Sequence, residues 1–436
     1  MKRLLQFLPG IMVSMILLTS CMSARGPSVL KLPQQRTIHY VSSNQGNEGS
    51  AKIIGQLAEN YSAAHPNVKY EFENVTTSAL LQKIQLLAAS NDLPDLFSFE
   101  PGSPLKQLAD SGFVLDLEKT FKELGLYDQL NPAAVVLLKS MVGGKGLYAL
   151  PLEMNIEGFW YNKELFAKYG LKEPHTWDEM LRAAETFKQH GIQPFSVGGE
   201  HKWPITRLIN GYVIRKYGFD AMQRVSRGEL RVTEPGFVEA AQVVQDMGLK
   251  GYFGSNVNSV DNDLSVQMFL TGKSAMFYVG SWILRDLNDP DKNKIGTENI
   301  GFFNIPLVKG GKGTLDDWSM NAGLTTSFSA AAYDETMKDW IKEVFTGYGD
   351  EALNELGVIP GFRVEQVPDN IPPLTRMVQQ KMNGVKNSAL WFEAFFNTRT
   401  QTVAWNNAQL LVSSEMLTPR QYMEELQRAI DEQRNE

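Results

Sequence analysis

The chain holds one cysteine, Cys21, and five histidines, His39, His65, His175, His190 and His201. A single thiol excludes an internal disulfide and a cysteine-based zinc site. The histidines form no HExxH or other close metal-ligand spacing, and there is no Gly-x-Ser-x-Gly elbow for a nucleophilic serine. Gly272-Lys273-Ser274 has the end of a phosphate-binding loop, but Gln267 stands where that loop needs glycine. Gly310-Gly311-Lys312-Gly313 reads as a hairpin loop. A glycosidase needs two carboxylates across one bond. Glu100, Glu153, Glu200, Asp261 and Asp316 are available, yet no spacing singles out a pair. The chain is therefore expected to be no enzyme and to carry no metal or cofactor.

Recognition chemistry is better represented. Eight Trp, 14 Tyr and 23 Phe exceed what a minimal core needs, and aromatic faces also build binding sites. The formal charge is -7, which argues against nucleic acid as a partner, since that needs a concentrated basic face. At 436 residues the chain is too long for one ordinary core and calls for two or three domains.

The first residues carry their own signal. Lys2-Arg3 precede an apolar run from Leu4 to Leu18, and then comes Leu18-Thr19-Ser20-Cys21. Basic, apolar and small residues in that order form a secretory signal. The run is shorter than the roughly 20 apolar residues of a spanning helix. Leu-Thr-Ser-Cys resembles the lipobox of bacterial lipoproteins, in which the cysteine is lipidated and becomes the first mature residue. Residues 1–20 are thus expected to be a signal peptide. Residues 21–36 are expected to be a lipidated N-terminus and flexible tether. No later run of 18 or more apolar residues follows, so the body is expected to lie outside the bilayer.

The elements that must position any site alternate. Thr37–Ser42, Val68–Phe72 and Asp95–Phe99 are β-rich runs, separated by helical spacing over Ser50–His65 and Leu80–Ala89. This is the pattern of an α/β protein with a parallel sheet. Such sheets hold ligands beyond the carboxyl ends of their strands. That points to Ser43-Asn44-Gln45 and to Glu100, which are also readable as ordinary loop residues. Further on, Gly158–Tyr161 and Ala275–Val279 read as strands. Thr176 with Glu179 is a capping box that opens a helix running to His190. Several helices are expected up to Gly251. The last hundred residues read as mainly helical.

Four segments together carry a resemblance. They are Leu93-Pro94-Asp95-Leu96-Phe97-Ser98-Phe99; Leu147–Leu152 with Tyr161-Asn162-Lys163-Glu164-Leu165-Phe166 and Thr176-Trp177-Asp178-Glu179; Phe269–Met276 through Gly280-Ser281-Trp282; and Gly301-Phe302-Phe303-Asn304-Ile305-Pro306. In this order they resemble the extracellular solute-binding proteins of ATP-binding-cassette (ABC) sugar importers, the maltose-binding-like family. The resemblance covers about residues 37–430. Trp160 departs from it, where the family often has an aliphatic residue or Tyr, and both core and cleft stay open for it.

The resemblance implies a two-lobed, type II periplasmic-binding-protein-like α/β fold whose lobes are joined by crossing strands. Lobe 1 would be 37–152 plus 324–376, and lobe 2 would be 153–323 plus 377–436. Crossings would fall near Pro151–Asn155, Asn321–Thr325 and Pro373–Val378. It also implies an exported, lipid-anchored, monomeric receptor that hands a mono- or oligosaccharide to the transmembrane subunits of a permease.

Trp282, in Gly-Ser-Trp after a strand, would stack on the sugar. Trp203, Trp318 and Trp391 are further stacking candidates, and each of the four is also readable as core. Trp177 is assigned to helix packing. Glu153, Asp317 and Asn321 would join Asn44, Gln45 and Glu100 as polar partners, with Arg363 after the Gly357–Gly361 loop. The alternatives are a receptor for a peptide, polyamine or iron, a lipid-anchored glycosidase, and a sensory or structural lipoprotein without an importer.

Overall fold

The computed structural model describes residues 35–44, 46 and 48–435. The expected signal peptide, Cys21, nearly all of the tether and Gln45 lie outside the described residues. No helix among those described is long and apolar enough to cross a membrane.

Among the described residues, ten strands form two sheets. The first sheet has the order β2 (Val68–Asn74), β1 (Arg36–Ser42), β3 (Leu96–Ser98) and β9 (Thr326–Phe328). Its first three strands are parallel and β9 is antiparallel to β3. Within β1, Ile38 and Tyr40 enter one apolar cluster and Val41 another, so successive side chains bury on opposite faces. Helices therefore cover both faces, as parallel strands require.

The second sheet is mixed. Its order is β10 (Asn387–Ala389), β8 (Asp317–Asn321), β4 (Asn155–Asn162), β6 (Ser274–Gly280) and β5 (Gln193–Ser196), with β7 (Ile300–Phe303) also paired to β4. It too is buried on both sides. Phe159, Met276 and Tyr278 belong to one cluster, and Trp160, Phe277 and Val279 to another. Trp160 is fully buried and stacks on Phe302 with ring centroids 4.2 Å apart, so it is core. Trp177 is core as well, packed edge-on against Phe159 and Tyr212. The capping box forms as expected: Glu179 N–H donates to Thr176 Oγ1 (3.2 Å) and Thr176 N–H to Glu179 Oε2 (3.1 Å).

The chain passes between the two sheets along neighbouring extended segments. Leu150 pairs with Thr326 beside the first sheet, and Asn155 pairs with Asn321 in the second. A third segment runs alongside: Glu153 pairs with Pro360, and Met154 N–H donates to Ile359 O at 2.8 Å. The passage expected near Pro373–Val378 thus lies earlier, at the Gly357–Gly361 loop. The helix Pro373–Asn383 already belongs with the second sheet. Its Leu374 and Val378 enter the cluster of Trp160 and Phe302, and Thr375 Oγ1 accepts from Asn288 Nδ2 at 3.1 Å.

Candidate functional site

A cavity of about 340 Å³ lies between the two sheet systems, with the crossing segments as its floor. One wall is built by the first sheet. Ser43 and Asn44 follow β1, and Glu100 and Pro101 follow β3, so the carboxyl ends of two parallel strands supply it. Asn44 is held by its backbone, whose carbonyl accepts from Asn74 Nδ2 at 2.8 Å. The Glu100 carboxylate is open to the cavity. It has protein on its other sides, and that burial pushes its pKa up against the opposing pull of Arg207.

The floor brings Glu153, Asn321 and Gly323 together. Glu153 Oε2 accepts from Asn155 Nδ2 at 3.2 Å. Burial raises this carboxyl too, against the Asn155 hydrogen bond and the charge of Arg285. Asn321 is spent on the protein itself: its Nδ2 donates to Glu157 Oε1 (2.8 Å) and its Oδ1 accepts from Gly323 N–H (2.9 Å). Gly323 has φ +68°, and a Cβ there would sit 3.2 Å from Glu153, so this turn needs glycine.

The opposite wall is aromatic. Lys202, a non-glycine residue at φ +66°, turns the chain sharply into the helix Trp203–Tyr217. Trp203 is the first residue of that helix rather than part of a loop, and Arg207 stands one turn on, on the same face. Trp282 lies in a short turn after β6, its ring folded back over Gly280. A Cβ at Gly280 would meet that ring at 1.9 Å. The rings of Trp203 and Trp282 meet edge to face with centroids 5.9 Å apart. Trp391 follows β10 and is buried.

Arg207 ties these groups into one unit. Its guanidinium carbon is 5.7 Å from the Trp203 ring and 5.3 Å from the Trp391 ring. Its Nη1 donates to Glu157 Oε1 at 3.1 Å. Glu157 is itself wholly buried in β4 and also accepts from Tyr278 OH at 3.4 Å. At the edge, Arg285 reaches from the second side to Glu48 on the first (3.6 Å) and to Asp286 (3.4 Å).

Of the residues named from the sequence, the cavity gathers Asn44, Glu100 and Glu153, the floor amide Asn321, and the rings of Trp203, Trp282 and Trp391. Three others are placed elsewhere. Asp317 is buried, accepting from Thr314 N–H (2.7 Å) and Asn387 Nδ2 (2.8 Å), and so fastens β10 to β8. Trp318 packs in the core against Phe302, ring centroids 5.7 Å apart. Only the last residue of β8, Asn321, reaches the cavity. Arg363 is on the surface, one residue past the buried Phe362.

Sequence reasoning did not name Arg207, Glu157, Glu48, Asp263 or Arg285. The i, i+4 spacing of Trp203 and Arg207 was the available signal for the first. Among the described residues, His65, Asp339 and Glu343 have ligand atoms close enough to hold a metal. They do not line the cavity, and His65 Nε2 at 3.8 Å from Asp339 Oδ2 is what a surface ion pair would give.

Residues 45–346 match the family model described as bacterial extracellular solute-binding protein. An ABC transporter extracellular-binding protein of Pyrococcus horikoshii is 24% identical over 289 residues, 65% of this chain. The multiple sugar-binding protein of Streptococcus mutans is 25% identical over 292 residues, 64% of this chain. The chain spans 64% of the length of each of these two relatives. Among solved structures, a chitin oligosaccharide binding protein superposes with TM-score 0.82 at 25% identity, covering 91% of this chain and 98% of its own. A binding protein solved with raffinose gives 0.70 at 20% identity, covering 91% and 99%. The two-sheet α/β architecture is thus the type II periplasmic-binding-protein-like fold, and the chain belongs to the bacterial extracellular solute-binding protein family.

Proposed function

We propose that this chain captures a carbohydrate in the cleft between its lobes and delivers it to the transmembrane subunits of an ABC permease. The observation that carries this reading is the meeting of three indole rings with two carboxylates that form no ion pair with a described residue. A sugar presents C–H groups on its faces and hydroxyls at its rim. Trp282 and Trp203 offer ring surface to the faces, and Glu100, Glu153 and Asn44 offer acceptors and an amide to the hydroxyls. Buried polar groups left unpaired cost roughly 1–3 kcal/mol each, which would make such a site selective. The multiple sugar-binding and chitin oligosaccharide binding relatives support the same class. Binding energy shared between both walls would favour closure about the crossing segments.

The acid-rich lining favours one rival, an organic cation such as a polyamine. Isothermal calorimetry of a panel of neutral di- to tetrasaccharides, with spermidine beside them, separates the two. Saturable heat with a sugar and none with spermidine is expected. The reverse pattern refutes the carbohydrate reading.

The lipid tether on Cys21 belongs to the same proposal, since two acyl chains give stable anchoring where one is marginal. Mass spectrometry of the membrane-extracted protein is expected to find an N-terminal diacylated Cys21. An unmodified cysteine there would rule the anchor out.

A further inference from the structure

We propose that the cleft admits neutral and amine-bearing sugars and turns away sugars that carry a carboxylate, sulfate or phosphate. The proposal rests on the carbohydrate reading and specifies the charge of its ligand.

The observation is an imbalance of charge around the cavity. Among the described residues, five carboxylates line it, those of Glu48, Glu100, Glu153, Asp263 and Asp286, against two cations, Arg207 and Arg285, and no lysine. An anionic sugar would need one of those guanidiniums, and both are committed.

Arg207 donates to the buried Glu157 carboxylate at 3.1 Å and lies in the field of Glu100 and Glu393. Its guanidinium carbon also lies over the Trp203 and Trp391 rings. One positive charge there answers three carboxylates. Arg285 contacts Glu48 and Asp286, and Lys292 also bonds Asp286 at 2.6 Å. That second cluster is two against two. Neither cluster has positive charge to spare, so an anion that approached either guanidinium would compete with the carboxylates already beside it.

Glu100 and Glu153 make the exclusion active. Neither forms an ion pair with a described residue, and both face the cavity, one from the first sheet and one from the crossing floor. A neutral sugar offers them hydroxyl donors. An ammonium offers them charge, for which they are better partners still. A carboxylate or sulfate can offer only like charge in a space where water is displaced, and like-charge contact there costs several kcal/mol. Protonating the two acids would relieve the repulsion and turn one oxygen of each from an acceptor of sugar hydroxyls into a donor.

The experiment uses the full chain purified in detergent. Native mass spectrometry first finds binders in a mixed library of cello-, xylo-, manno- and malto-oligosaccharides, chitosan oligomers, oligo-uronates and sulfated oligosaccharides. Calorimetry then compares the best neutral or amino binder with its uronate analogue of equal length and linkage. The uronate is expected to bind at least about 100-fold more weakly. In the Glu100→Gln/Glu153→Gln variant that ratio is expected to shrink to about 10-fold or less, whatever the variant does to neutral binding. A uronate or sulfated sugar that binds within a few-fold of its neutral analogue overturns the charge rule alone. So does a ratio that the variant leaves unmoved. A library in which nothing binds overturns the carbohydrate reading and the charge rule with it.

Discussion

Arg207 holds the aromatic wall and the sheet beneath it in one arrangement, and its removal strands a charge. Glu157 is wholly buried, and the Arg207 side chain is 11% exposed. Breaking a buried pair from one side leaves an uncompensated carboxylate and typically costs about 3–5 kcal/mol. Arg207→Met is therefore expected to lose about 3 kcal/mol of stability in urea unfolding, and adding Glu157→Gln is expected to restore part of it. A loss under about 1 kcal/mol would show that the pair contributes little.

Glu100 carries the opposite sign. Burial raises its carboxyl above the ordinary value of 4.5, so the folded state holds that proton more tightly than the unfolded chain. Stability from this group is full below pH 4.5 and is lost as pH rises through the raised folded value. Glu100→Gln is expected to melt higher than the parent at pH 7.5, with the gap closing toward pH 4. A gap that is constant with pH would contradict the assignment.

Asn44 and Glu100 could be named as cavity-lining because parallel strands present groups at their carboxyl ends, although each was also readable as a loop residue. Asp317 and Trp318 were placed by nearness to an expected crossing, and Arg363 by following the Gly357–Gly361 loop. Nearness does not give side-chain direction: along β8 only the terminal Asn321 emerges into the cavity.

At the scale of elements, the turn after β6 aims the site. Gly280 leaves room for the Trp282 ring to lie over the backbone, and any Cβ would occupy the ring's place. Gly280→Ala is expected to displace Trp282 and weaken sugar binding about tenfold while far-ultraviolet circular dichroism stays as in the parent. Unchanged affinity would mean that Trp282 has another route to its position. The βαβ alternation of the first sheet was readable because its helices and its first two strands are long and periodic. The strands β5, β8, β9 and β10 are three to five residues long, and all but β10 are mostly buried throughout. Such runs lack alternation, and that is why β5 and β10 fell in stretches read as helical. The third crossing was misplaced for a related reason. Val358–Gly361 reads as a loop, and only its pairing with Leu152–Met154 makes it a strand-like passage.

At the scale of the whole molecule, two independently cored sheets face each other across a floor of extended chain. The first supplies Asn44 and Glu100 from its strand ends, and the second supplies the indoles together with Asp263 and Asp286. Arg285 spans the opening to Glu48 at 3.6 Å, so an ion pair links the two sides at the edge of the cavity. A division of labour of this kind suits a receptor that must hold its cargo with both halves and release it when they part. The direct test is calorimetric titration of the best carbohydrate into the parent chain and Trp282→Ala. Saturable one-to-one binding by the parent and a loss of at least about tenfold in the variant are expected. No carbohydrate binding at all, or equal affinity in the two proteins, would contradict capture of a sugar in this cleft.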